Sequence, residues 1–124
     1  MAKISTGSVA SAVKSTFSHT IKLVQNDTRP ELRFTITDDA TGGPLDLSST
    51  SNIVLKLRAL NTSEVKATIP IVRVTPSEGT VFLQWRDGDL DTAGVFTGEI
   101  EISYLDSTTH TLFQELKFEV RGDY

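Results

Sequence analysis

The sequence predicts an all-β protein, an antiparallel β-sandwich of about seven strands preceded by an extended amino-terminal arm. Three observations predict it. From Thr20 onward apolar residues alternate with polar ones at a spacing of two. Each alternating run is bounded by Gly, Pro, Asn, Asp or Ser. No segment supplies the helix that a crossover between parallel strands requires. The 124 residues suit one domain, and a chain of this length buries enough surface to hold a core without staples. That matters because the sequence contains no Cys, hence no disulfide framework and no thiolate metal site.

The strands follow in order. In the first, residues 20–25, Ile21 and Leu23 face one way and Lys22 and Val24 the other, before Asn26 and Asp27 close the run. In the second, Leu32, Phe34 and Ile36 alternate with Arg33, Thr35 and Thr37, the pattern of a half-buried strand. A loop at 38–44 leads to Ile53, Leu55, Leu57 and Ala59, and a turn at 61–64 to Val65, Ala67, Ile69 and Ile71. Pro70 cannot donate a ladder hydrogen bond, so that run lies at an edge, is bulged, or breaks into two pieces that switch partners. Val72 and Val74 precede a reversing turn at 75–79, after which Val81, Leu83 and Trp85 supply the next inward row. Phe96, Ile100, Ile102 and Tyr104 form another, with Gly98 as its small member. The last run, 111–120, sets Leu112, Gln114, Leu116, Phe118 and Val120 on one face and Phe113 among polar residues on the other. Seven strands in about a hundred residues fit a sandwich of the immunoglobulin type.

Residues 1–19 read differently. Their Ser, Thr and Ala favour solvated backbone over a packed element, which sets an arm at 1–19 against a sandwich at 20–124. Val9, Ala12, Val13 and Phe17 share one side of a short helix too weak to fold alone, so a partner orders it. The arm lacks the continuous apolar centre of a signal peptide or a membrane span. A net charge of −4, with scattered Lys and Arg, excludes the basic stripe on which nucleic-acid binding depends.

The run I-K-L-V-Q-N-D-T-R-P-E-L-R-F-T-I-T-D at 21–38, with G-G-P-L-D-L-S at 42–48, resembles the opening of the amino-terminal immunoglobulin-like module of phage baseplate upper proteins. P-S-E-G-T-V-F-L-Q-W at 76–85 and D-L-D-T-A-G-V-F-T-G-E-I-E-I at 89–102 resemble its later turn and its entry into the penultimate strand. The resemblance spans about residues 20–120 and implies a virion protein anchored on a tail or baseplate core, with further domains carried outward. This sequence stops shortly after its last strand, which favours a stand-alone module.

The motifs that invite sharper chemistry have plain structural readings. Asp87, Asp89 and Asp91 invite calcium, yet the loop lacks the distal Glu and the flanking helices of a helix-loop-helix site. With no Cys, His19 and His110 would need carboxylates to complete a zinc site, and their plain reading is as exposed strand residues. There is no G-x-S-x-G turn, and neither His is marked as a base. Arg121-Gly122-Asp123 resembles the integrin-recognition tripeptide, but sits where strand-end punctuation is expected. Within the corner at 90–96, Asp91 and Gly94 read as turn residues and Phe96 as core.

The expected function is therefore that of a non-enzymatic virion structural or adaptor protein of the baseplate, tail, neck or capsid surface. It is made in the host cytoplasm and joined to other virion proteins, as a homo-oligomer or within a symmetric assembly. Val9, Val13, Phe17 and Phe113 are the candidate partner contacts, with 111–120 or 20–25 as the strand near the contact. No catalytic, cofactor or metal residue is assigned, and neither nucleic acid nor membrane is an expected partner. The alternative is a carbohydrate-binding or host-adhesion module using Trp85 and the loop at 87–91.

Overall fold

The computed structural model describes residues 20–38, 40–112 and 115–123, and the backbone of 2–9. Ten strands occur among them: β1 (Ala2–Val9), β2 (Ile21–Val24), β3 (Leu32–Asp38), β4 (Thr50–Ala59), β5 (Val65–Pro70), β6 (Val72–Thr75), β7 (Thr80–Leu83), β8 (Gly94–Tyr104), β9 (Thr109–Thr111) and β10 (Leu116–Arg121). One sheet runs β1-β3-β7-β6. The other runs β2-β10-β8-β4-β5, with β9 also on β8. This is the strand order of an immunoglobulin-like sandwich. The inward rows expected from the sequence form its core: Leu32, Phe34 and Ile36 from β3, Ile53, Leu55 and Leu57 from β4, Val81 and Leu83 from β7, and Phe96, Ile100 and Ile102 from β8 are all buried.

The ten strands arise from the seven expected runs by two divisions and one addition. The run containing Pro70 breaks: β5 pairs antiparallel with β4, whereas β6 pairs with β7 in the opposite sheet. Pro70 ends β5 opposite Val54, and Ile71 donates its N–H to the Ile53 carbonyl at 2.8 Å as the chain crosses. The last run divides into β9 and β10, both against β8, with buried Leu112 after β9. Strand β10 lies between β8 and β2, so of the two strands expected near a contact only β2 stands at a sheet margin. The β2–β10 pair is parallel, a departure from an all-antiparallel sandwich.

The addition is β1. Its Ser/Thr-rich sequence gives no strand signal, yet Ala2–Val9 pairs antiparallel with β3 from Ala2 opposite Asp38 to Val9 opposite Leu32, with a register shift between Ser5 and Ser8. The exposed edge of β3 supplies the pairing that local propensity does not.

Two glycines permit close approaches. At Gly98 an added Cβ would stand 2.7 Å from both Leu55 Cδ1 and Phe118 Cε2, so its lack of a side chain leaves room for both. Gly79, at φ 68°, closes the turn after Pro76–Glu78 against the Ile36 and Leu45 carbonyls.

Candidate functional site

The corner between β7 and β8 is held from several sides. The carboxylate of Asp89, nearly buried, accepts from the Arg86 backbone N–H (2.8 Å), Nε (3.2 Å) and Nη2 (3.1 Å). Arg86 Nη2 also donates to the Thr68 carbonyl on β5. Asp91 takes hydrogen bonds from Lys66 Nζ and the Thr92 hydroxyl, which hold its carboxyl below the usual carboxylate range. Gln25 Nε2 reaches the Asp91 carbonyl and the Asn26 N–H reaches that of Leu90, tying the end of β2 to the corner. Asp89 and Asp91 are thus each engaged by a cation of the chain itself. Among the described residues no three His, Asp or Glu side chains come together as a metal site.

Trp85 is only 1% exposed and packs inside the sandwich. It presents no face for stacking a sugar, so the carbohydrate alternative loses the platform it was built on. Phe96 is buried, as its reading as core required. His110 lies on β9 opposite Ile102, and Arg121 pairs with Val24 at the end of β10, with Gly122 and Asp123 beyond the strand.

The outer faces of the two sheets differ. Across β4 and β8, Lys56 Nζ meets Glu101 at 2.8 Å and Arg58 Nη2 meets Glu99 at 3.0 Å, a ladder that neutralises itself. On the other sheet Val72 and Val74 of edge strand β6 are each 47% exposed, and the Arg33 guanidinium lies 5.4 Å from the centre of the Phe82 ring. An open trough of about 440 Å³ beside them is lined by Arg33, Thr35, Val74, Thr75, Glu78 and Thr80.

Of the candidate contact residues, Val9 is the last residue of β1, opposite Leu32. Val13, Phe17 and Phe113 lie outside the described residues, as does His19. The structural feature that sequence reasoning missed is the β1–β3 pairing. Its larger apolar residues, Ile4 opposite Ile36 and Val9 opposite Leu32, are too sparse for a period-two signal.

Among the described residues no helix is long and apolar enough to cross a membrane. No protein-family model and no curated protein matches the sequence. A solved structure similar in fold is the crystal structure of CopC from Methylosinus trichosporium OB3b, 7% identical, with a TM-score of 0.52 over 98% of this chain and 97% of that one. At that identity the likeness concerns the fold alone.

Proposed function

We propose that this chain is a non-enzymatic assembly module, a rigid immunoglobulin-like sandwich that joins a larger particle through its strand edges and its amino-terminal segment. The observation that carries the reading is β1: its described attachment is strand pairing along β3, the mode by which one protein adds a strand to another. The described surface is in keeping with this, since its groove beside β6 is open rather than enclosed and exposed Val72 and Val74 line a free sheet edge. The motif resemblance at 21–48 and 76–102 makes a phage virion the setting to test, with other virion proteins as partners.

Imaging of purified particles made with and without the protein, paired with mass spectrometry of their contents, tests the reading. A knob, collar or baseplate tier that disappears with the protein supports it. Particles of unchanged structure from which the protein is absent overturn it.

A further inference from the structure

The margins of the two sheets are unequal. Among the described residues β2 and β5 stand at the ends of one sheet and β1 and β6 at the ends of the other. Strand β5 ends in Pro70, which has no N–H to offer a further strand, and β2 sets exposed Lys22 between buried Ile21 and Leu23. Strand β6 instead carries Val72 and Val74, each 47% exposed, on either side of exposed Arg73. Its register against β7 sets Val72 opposite Phe82 and Arg73 opposite Val81, and resumes with Thr75 opposite Thr80. Val74 is thus left without a counterpart on β7 and lines the open trough, as a bulge at a sheet margin re-aims a side chain.

Arg73 differs from the cations around it. Lys56 and Arg58 of β4, Lys66 of β5 and Arg86 of the corner each meet a carboxylate. Arg73 meets none among the described residues. Its hydrogen bonds all run from Nη1, to the Thr50 carbonyl (2.9 Å), the Thr50 hydroxyl (3.0 Å) and the Leu47 carbonyl (3.5 Å), and Thr50 and Leu47 are both buried. One nitrogen therefore fixes the guanidinium at the sheet margin, while Nε and Nη2 donate to nothing among the described residues. A planar donor fork held in this way matches the two oxygens of a carboxylate.

We propose that the β6 margin docks an extended segment of another protein that carries a carboxylate between two apolar side chains. The carboxylate takes the remaining donors of Arg73, and the apolar side chains cover Val72 and Val74. A second copy of this chain fits less well. The antiparallel β6–β6 register that sets Val72 against Val74 on both sides also sets Arg73 against Arg73, and like charges directly opposed are destabilising. The inference rests on the assembly reading and names the chemistry of the partner at one of its edges.

The probe is the capped peptide Thr-Val-Glu-Val-Thr, titrated into the full-length isotope-labelled chain beside a peptide with glutamine in place of its glutamate. Amide shifts should centre on Val72–Thr75, with the glutamate peptide binding about fivefold tighter than the glutamine one, as an exposed ion pair allows. In Arg73→Gln the two peptides should bind alike. Equal binding of both peptides to the wild-type chain, or shifts centred elsewhere on the sandwich, overturns the proposal. That comparison changes the peptide alone, so it decides the matter even if Arg73→Gln folds poorly. Val74→Ser, at an exposed position, then serves as the second variant and should weaken both peptides. Self-association of the chain through β6 in analytical ultracentrifugation gives the edge to a second copy and likewise overturns the proposal. If the two peptides bind alike and the wild-type chain still enters particles, the docking site alone is lost and the assembly reading stands. If the wild-type chain enters no particle, the assembly reading falls whatever the titration shows.

Discussion

Trp85 meets Phe118 edge-on, their ring centres 5.5 Å apart and their planes at 88°, so the segment that follows β7 is packed against β10 of the opposite sheet. Both rings are buried, and the Trp85 indole N–H has no hydrogen-bond partner among the described residues. Trp85→Phe therefore removes volume but also an unsatisfied donor, whose burial costs about 1–3 kcal/mol. Trp85→Ala, by contrast, should cost about 3–5 kcal/mol. Urea denaturation of the two variants should show Trp85→Phe much the milder.

Gly98 lies between Leu55 and Phe118, and a methyl group there meets both at 2.7 Å. Gly98→Ala should destabilise by about 1–3 kcal/mol through overpacking. Combining it with Phe118→Leu, which trims the ring edge, should cost less than the sum of the two single changes in thermal denaturation.

Gly79 and Gly42 share a left-handed backbone, φ 68° and 74°, but only Gly79 is hemmed in, with the Ile36 carbonyl oxygen 2.5 Å from an added Cβ. Gly42→Ala, with nothing within 4 Å of its Cβ, isolates the backbone penalty of about 1–2 kcal/mol. Gly79→Ala adds a clash with rigid backbone. Its melting temperature should fall further, and comparing the two variants measures that clash.

Three exposed carboxyls are held below their ordinary value of 3.8: Asp46 by the Ser48 hydroxyl, Asp91 by Lys66 and Asp106 by the Thr108 hydroxyl. A lowered folded value means that their stabilisation is present above the unfolded value and is lost as pH falls through the folded one. Melting temperature should therefore decline below about pH 4 on their account. Asp91→Asn should flatten part of that acid limb, and added salt should weaken its Lys66 contribution, because the pair is exposed to solvent.

Much of the sandwich is legible in residue periodicity. Leu32, Phe34 and Ile36, or Ile100 and Ile102, announce a buried face because a strand turns every second side chain the same way. Pro70 announces an interruption, although which of its three forms it takes depends on the partner strands on either side. Leu47 and Leu90 are as buried as any strand residue, yet they lie in loops where no period exists to mark them. The parallel pairing of β2 with β10 is invisible too, since alternation fixes a face and says nothing of strand direction. Strand β1 is hidden for a further reason, because the edge of β3 makes it a strand and its own Ser-rich composition does not. The contact reading at Val13, Phe17 and Phe113 concerns residues outside those described.

The most direct test of the assembly account is deletion of residues 2–16, followed by measurement of both folding and incorporation into purified particles. The core rows run from Ile21 to Val120, so the shortened chain should still unfold in one cooperative transition while its content in particles falls at least tenfold. A shortened chain that folds and enters particles at the wild-type level would contradict the account.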